Sequence, residues 1–318
     1  MKKKLSVLIL FVGLLTLVLA GCTLKGETRF YTGGDQGTYY SFGQVIADHA
    51  NDEMKMNILV ETSGGSQDNL ENIESGKAQI AWTQSDVMAY AYSGTRLFAN
   101  GDQITNFSVL GSLYSEEVQI VTCDPTIQTV DDLKGKTVSI GESGSGVYYN
   151  AMDILEAYDI SESQINPVYQ GFGESTDSLA DGTIDAAFVV AGAPTQAITA
   201  LAETTDVYFI PLDEEHIEEL QEISPYYGMC VIGSDVYGTD EDILSVDVDA
   251  ILIASDDLSD DDAYDLVASI FDDVSVLEEA HEKGMELNLV DATSVTTVPY
   301  HPGAAKYYEE QGYSVPSK

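Results

Sequence analysis

Short apolar runs alternate with stretches of helical periodicity along most of the chain. The apolar runs are bounded by turn residues and have the length of buried strands. They cover residues 57–60, 80–82, 137–140 and 186–190. Apolar positions recur at helical spacing from Phe42 to His49 and again from Tyr148 to Tyr158. Because strands that alternate with helices form mostly parallel sheets, the pattern predicts an α/β fold.

The same plan occurs twice along the predicted α/β region. Residues 37–40 and 146–149 both read glycine, a small residue and two tyrosines. Residues 76–82 and 182–188 match each other at nearly the same offset. In each copy a glycine-rich loop leads from a strand into a helix, and ligands of such sheets bind at the carboxyl ends of the strands. We therefore expect one loop in each of two lobes, with a cleft between them.

The chain starts with lysines, an apolar run over residues 5–20, and Gly21-Cys22. This order is typical of an export signal, which we place at residues 1–21. The residues before Cys22 resemble the lipobox of bacterial lipoproteins. That resemblance implies a lipid on Cys22 and a tether over residues 22–27, which would hold the protein at the outer face of the cell membrane. The alternative is an ordinary secretory signal with an incidental cysteine.

The charge balance is strongly acidic and excludes two classes of partner. The chain has 54 acidic and 13 basic residues, for a net charge of −41 at pH 7. Such a surface repels nucleic acid and anionic lipid. It also destabilises the fold by self-repulsion, which salt screens. We expect a protein adapted to high ionic strength.

None of the catalytic or cofactor motifs that we considered is complete. Residues 33–37 lack the spacing of a dinucleotide fingerprint, and residues 141–145 place serine at the last position of a hydrolase elbow. His281 has no second histidine at zincin spacing. We therefore expect binding without catalysis, cofactor or metal, and keep a secreted hydrolase as an alternative. Cys123 and Cys230 lie in apolar stretches and are expected to be free, buried thiols.

Five stretches spread over residues 33–312 resemble, in the same order, the TAXI-type solute receptors of TRAP transporters. The stretches are GGDQGTYYSFG, TSGGSQDNLENIESGKAQIAWTQSD, VDDLKGKTVSIGESGSG, DAAFVVAGAPT and YHPGAAKYYEEQG. The resemblance implies a small organic anion as ligand, namely a glutamate-like amino acid, a dicarboxylate or a 2-oxoacid. It also implies TRAP membrane subunits as partners. A surface sensor that passes its bound state to a signalling partner is the alternative with the same fold.

The resemblance further implies a two-lobed periplasmic-binding-protein fold of type II with two hinge crossovers. Lobe I is expected to comprise residues 28–113 and 222–318, and lobe II residues 114–221. Residues 118–122 and 227–232 would then lie at or near the hinge. We also expect residues 114–221 to form a sheet separate from that of the N-terminal part.

The two glycine-rich loops are the predicted walls of the cleft. A helix N-terminus accepts negative charge, so we expect the backbone N–H groups of residues 145–147 to hold a carboxylate, with hydroxyls from Ser143 and Ser145 beside them. Tyr39 is expected to face the cleft, although both tyrosines of that loop could instead be packing residues. The predicted ligand-binding residues are Tyr39, Ser63, Gln84, Ser143, Ser145, Gly146, Val147 and Phe172. Arg96 could reach the cleft from a loop.

Overall fold

The computed structural model describes residues 26–99 and 103–318, and its ten strands form one curved sheet of mixed direction. The strands are β1 (Thr28–Tyr31), β2 (Ile58–Glu61), β3 (Ile80–Gln84), β4 (Phe107–Thr122), β5 (Thr137–Ser139), β6 (Asn166–Val168), β7 (Ala186–Ala191), β8 (Tyr208–Phe209), β9 (Gly228–Ile232) and β10 (Ile243–Ser255). Their order is β2-β1-β3-β10-β4-β7-β5-β6, with β8 paired to β4 and β9 to β10. The outer strands pair in parallel. The long central strands β4 and β10 pair antiparallel with each other. On their other sides, β4 pairs antiparallel with β7 and β10 with β3.

Helices follow most of the strands, as the alternating pattern predicts. They are α1 (Thr38–Glu53), α2 (Ser66–Glu74), α3 (Ser85–Ser93), α4 (Gly146–Ala157), α5 (Phe172–Ala180), α6 (Gln196–Ala202), α7 (Glu214–Ile223), α8 (Ser234–Tyr237), α9 (Asp260–Phe271), α10 (Val274–Ala280), α11 (Leu289–Ala292) and α12 (Pro302–Glu310). Short 3-10 helices cover Arg96–Phe98, Val130–Leu133, Glu162–Gln164 and Glu282–Glu286. The two helices predicted from periodicity are α1 and α4, and the four predicted strands are β2, β3, β5 and β7.

Two large hydrophobic clusters form the core. The first is built from β1 to β3, the start of β4, the end of β10 and the C-terminal helices. The second is built from the end of β4, β5, β7, α4, α7 and the start of β10, and a smaller third cluster adjoins it. Both long strands therefore contribute to both large clusters. Leu113 of β4 packs in the first cluster, for example, and Val118 of the same strand packs in the second.

The expectation of two separate sheets is wrong. Hydrogen bonding runs without a break from β3 through β10 and β4 to β7, because β4 and β10 are long enough to cross from one cluster to the other. Their pairing is irregular at two points, with register shifts between Ala250 and Ile251 and between Leu252 and Ile253. A β-bulge of this kind leaves a residue unpaired and increases the local twist.

Several residues beyond residue 221 pack in the second cluster. Tyr227, Val246 and Val248 pack in the second cluster, whereas residues 250–254 pack in the first. We therefore propose that the lobes divide within β4 and within β10, and that residues 227–232 belong to the second lobe. The predicted hinge segment 118–122 lies in β4, within or beside the second and third clusters.

The N-terminal signal, Cys22 and residues 22–25 of the tether lie outside the described residues. In the part of the chain that the structure describes, no helix is both long and apolar enough to cross a membrane. Cys123 and Cys230 are free, as predicted, and both are partly rather than fully buried.

Candidate ligand-binding cleft

A cleft with about 540 Å³ of empty space, including its mouth, lies where four helices begin. Helices α1, α2, α4 and α5 start at Thr38, Ser66, Gly146 and Phe172, and each of these residues lines the cleft. Since the N-terminus of a helix carries partial positive charge, the four helices direct positive potential into the cleft.

The loop before α4 is shaped by two glycines with left-handed backbone. Gly141 has φ +86 and Gly144 has φ +88, values that residues with a Cβ rarely adopt. Ser145 then caps the helix, because its Oγ accepts a hydrogen bond from the Tyr148 amide at 3.2 Å and donates one to the Glu142 carbonyl at 2.7 Å. The Ser145 amide also donates to the Glu142 carbonyl, at 3.1 Å, so neither the hydroxyl nor the amide of Ser145 is available to a ligand as predicted.

The amides of Gly146 and Val147 remain open toward the cleft. They are the first two residues of α4, and within residues 26–99 and 103–318 neither amide has a hydrogen-bond acceptor. An N-terminal N–H group without an acceptor is the usual partner for an anion at a helix end. These two groups can receive a ligand carboxylate.

The two walls of the cleft are hydrogen-bonded to each other. The Gly144 carbonyl, in the loop before α4, accepts from the Gln67 and Asp68 amides at the start of α2, both at 3.1 Å. Tyr149 donates to Gln67 Oε1 at 2.7 Å. Thr38 of α1 donates to the Gly192 carbonyl after β7 at 3.0 Å. The cleft is therefore in a closed arrangement.

Tyr39 lines the cleft, whereas Tyr40 does not. Its ring stacks on that of Trp82, with centroids 5.6 Å apart and planes 8° from parallel. Its hydroxyl donates to Glu116 Oε2 at 3.3 Å. Burial, and then the nearby carboxyl of Glu116, raise the pKa of Tyr39 well above its ordinary value of 10.0. The phenol is therefore a neutral hydrogen-bonding group.

Gln84 sits at the end of β3 and touches the start of α4. A Cβ added to Gly146 would lie 1.7 Å from Gln84 Oε1, so the side chain fits only because residue 146 is glycine. Gln84 is 2% exposed, and its Oε1 has no hydrogen-bond donor among the described residues. A buried amide oxygen without a donor is costly, which suggests that a ligand supplies one.

The remaining predicted residues divide into those at the cleft and those beside it. Val147 and Phe172 line it, and the Phe172 ring lies close to Gly37 of the opposite wall. Ser63 does not line it, since its Oγ donates to the Thr32 carbonyl at 3.1 Å and supports the loop. Ser143 is exposed and faces a neighbouring groove.

Arg96 pairs with another side chain instead of reaching the cleft. Its guanidinium forms an ion pair with Asp153 of α4. Asp153 also accepts from the Tyr227 hydroxyl at 3.1 Å. Tyr227 accepts at 2.9 Å from Asn150, which also donates to Asp86 at 3.1 Å. Burial raises the pKa of Asp86 to about 7. This polar network joins α3 to α4.

Sequence reasoning did not single out Glu116, a buried acid of β4 that lines the cleft. Burial raises the pKa of Glu116 to about 8, although hydrogen bonds from Gln84 and Tyr39 oppose the shift. At pH 7 most of this carboxyl is therefore protonated. An acidic pair, Glu116 and Glu117, inside an otherwise largely apolar strand was the available signal.

The described residues that line the cleft include no lysine, arginine or histidine. Likewise, no group of histidine, cysteine or acidic side chains in the described chain could hold a metal ion. Any anion in this cleft must therefore be held by backbone N–H groups, hydroxyls and amides.

Comparison with known proteins assigns the family. A model of the NMT1-like family matches residues 30–312, which is most of the chain. The chain belongs to the NMT1-like family. Among solved structures, this family member is similar to the periplasmic binding protein BugD, with a TM-score of 0.57 and 12% identity over 90% of this chain and 93% of that one.

Two further structures resemble it to a similar degree. One is the alkanesulfonate-binding protein SsuA from Xanthomonas axonopodis pv. citri, solved with MOPS, at a TM-score of 0.50 and 13% identity over 91% of this chain and 92% of that one. The other is a putative L-cystine ABC transporter from Listeria monocytogenes. Its TM-score is 0.51, and the two chains are 13% identical over 84% of this chain and 98% of that one. These likenesses confirm the predicted type II periplasmic-binding-protein fold.

Proposed function

We propose that the protein is an extracytoplasmic solute receptor that captures a small organic anion in its cleft and delivers it to a TRAP-type membrane transporter. The ligand is a glutamate-like amino acid, a dicarboxylate or a 2-oxoacid. The family and the solute-binding fold support a receptor, and the resemblance of the sequence to TAXI receptors supports the transporter type. We also propose that lipid on Cys22 anchors the receptor to the membrane.

One observation carries the choice of an anion. The first two amides of α4 have no acceptor within the described chain, at the point where four helices begin. Since the lining residues that the structure describes include no basic side chain, these amides and the helix ends are the groups that favour negative charge. We assign the carboxylate of the ligand to Gly146 N and Val147 N, with Tyr39, Gln84 and Phe172 around the rest of the molecule.

Calorimetry on the purified protein tests this assignment. The ligands are glutamate, glutamine, 2-oxoglutarate and succinate, each with its methyl ester. We expect at least one acid to bind and its ester to bind much more weakly, because the ester cannot present a carboxylate to the amides. If the esters bind as well as the acids, the carboxylate site is wrong. If none of the acids binds, the proposed ligand class is wrong.

A pair of variants isolates the contribution of one amide. Gly146→Pro removes the N–H of residue 146, and proline is tolerated at the first position of a helix. Gly146→Ala is the matched control. It adds a Cβ against Gln84 as proline does, but it keeps the N–H. A hydrogen bond to a charged group contributes about 1.5–3 kcal/mol, so we expect the proline variant to bind about tenfold to a hundredfold more weakly than the alanine variant. Equal affinities of the two variants would contradict the role of this amide.

A further inference from the structure

Glu116 is an acid in the cleft without a cation beside it. It is 2% exposed, and it accepts hydrogen bonds from the hydroxyls of Tyr39 at 3.3 Å and Tyr114 at 3.5 Å and from the side chain of Gln84. No lysine, arginine or histidine of the described chain forms an ion pair with it, although the next residue, Glu117, lies 3.6 Å from the buried amine of Lys283. A buried, ionised carboxyl group is usually paired with a cation. The described part of the chain supplies no cation for Glu116.

Gln84 presents a second acceptor at the same end of the cleft. Its Oε1 is buried without a donor among the described residues, and it touches Gly146, whose amide is open. A buried amide oxygen without a donor and a buried carboxyl without a cation therefore lie in the same cleft as two amides without acceptors. An α-amino acid is complementary to this pattern, because its ammonium and carboxylate groups are attached to the same carbon.

We propose that Glu116 and Gln84 receive the ammonium group of the ligand, so that the cleft selects a glutamate-like amino acid over dicarboxylates and 2-oxoacids of the same length. The proposal rests on the proposed solute-receptor function and names the ligand class of that same site. In this arrangement the carboxylate on the α-carbon lies against the start of α4, and the ammonium lies against the end of β3 and the middle of β4.

The charges around Glu116 agree with this choice. The charges of Asp86 and Glu117 both raise the pKa of Glu116, and Glu142 lines the cleft as well. These acids make the cleft unfavourable for a ligand with two negative charges and no positive one. An ammonium group would instead stabilise the ionised form of Glu116, with the proton of its carboxyl released to solvent on binding.

Three ligands that share a five-carbon diacid skeleton test the proposal. Glutamate carries an ammonium at the second carbon, 2-oxoglutarate a carbonyl, and glutarate only hydrogens. Calorimetry at pH 7 should show glutamate binding at least tenfold more tightly than either of the others. In Glu116→Gln, which keeps the size of the side chain and removes its charge, this preference should fall to threefold or less. Glu156→Gln, an exposed acid on α4, is the charge-matched control and should keep the preference.

The outcomes separate this proposal from the proposed function. If glutarate or 2-oxoglutarate binds as tightly as glutamate, the ammonium site is wrong while the solute receptor stands. If Glu116→Gln keeps the full preference, the role of Glu116 is wrong. If none of the three ligands binds the wild-type protein, the ammonium site is wrong, whereas the receptor function is refuted only if succinate and glutamine also fail to bind. Should Glu116→Gln fail to fold, Gln84→Met removes the second acceptor and should also weaken glutamate more than glutarate.

Discussion

Replacing Glu116 by glutamine should make the stability of the protein less dependent on pH. The carboxyl has an ordinary pKa of 4.5, and in the folded protein burial raises it to about 8. Between these values the folded state holds a proton that the unfolded state has released. The stabilisation from Glu116 is therefore complete below pH 4.5 and is lost as the pH rises to about 8. Glutamine is neutral throughout and shows no such loss.

The size of the effect follows from the separation of the two pKa values. From 4.5 to about 8 is about 3.5 pH units, and each unit corresponds to about 1.4 kcal/mol. The wild-type protein should thus lose about 5 kcal/mol at this residue between pH 4.5 and pH 8. Relative to wild type, the glutamine variant should gain stability by about that amount over the same interval.

Urea unfolding at fixed salt, followed by the fluorescence of the single tryptophan, Trp82, measures the difference at pH 5, 7 and 9. We expect the two proteins to be similar at pH 5 and the variant to be clearly more stable at pH 9. Asp86→Asn is the matched comparison, and its gain should be complete near pH 7 because its pKa is about 7. A difference between wild type and Glu116→Gln that does not change with pH would refute the assignment of a buried, protonated carboxyl.

Three further results are expected. The melting temperature should rise by several degrees between low and molar salt, since salt screens the repulsion of a chain with net charge −41; an unchanged value would contradict this. Arg96→Ala should destabilise the closed protein by about 1–3 kcal/mol, because it leaves the buried Asp153 without its cation. Thermal unfolding measures this loss. The control for Arg96→Ala is Lys134→Ala, which should change the stability little because its ion pair is exposed. Glutamate affinity should rise about tenfold or more from pH 6 to pH 8 as Glu116 ionises, and calorimetry that shows a fall would contradict the ammonium site.

Much of the fold could be predicted because its signals are local. The apolar runs and the periodicity after Gly37 and Gly146 each depend on neighbouring residues, and they correspond to β2, β3, β5, β7, α1 and α4. The loops that line the cleft were found for the same reason, since glycines and a capping serine define a helix start within a few positions.

The features that were missed depend on contacts between distant parts of the chain. Glu116 belongs to an acidic pair that stands out in an apolar strand, but the sequence of β4 does not show that its side chain lies against Tyr39. Whether Arg96 reaches the cleft was left open, because its partner on α4 is distant in sequence. The second lobe boundary that we propose lies within β10, later than residue 221, because this one strand continues through both hydrophobic clusters.

The shared ladder of β4 and β10 limits how the receptor opens. Since both strands run from one hydrophobic cluster into the other, the lobes cannot separate by the rotation of loose linkers. They must flex a hydrogen-bonded ribbon. The bulged register near Ala250 lies next to the point where the clusters meet, so that flexing is concentrated where the ladder is already irregular. Amide hydrogen exchange in this short segment would then report opening directly, and a ligand that holds the lobes together would slow it.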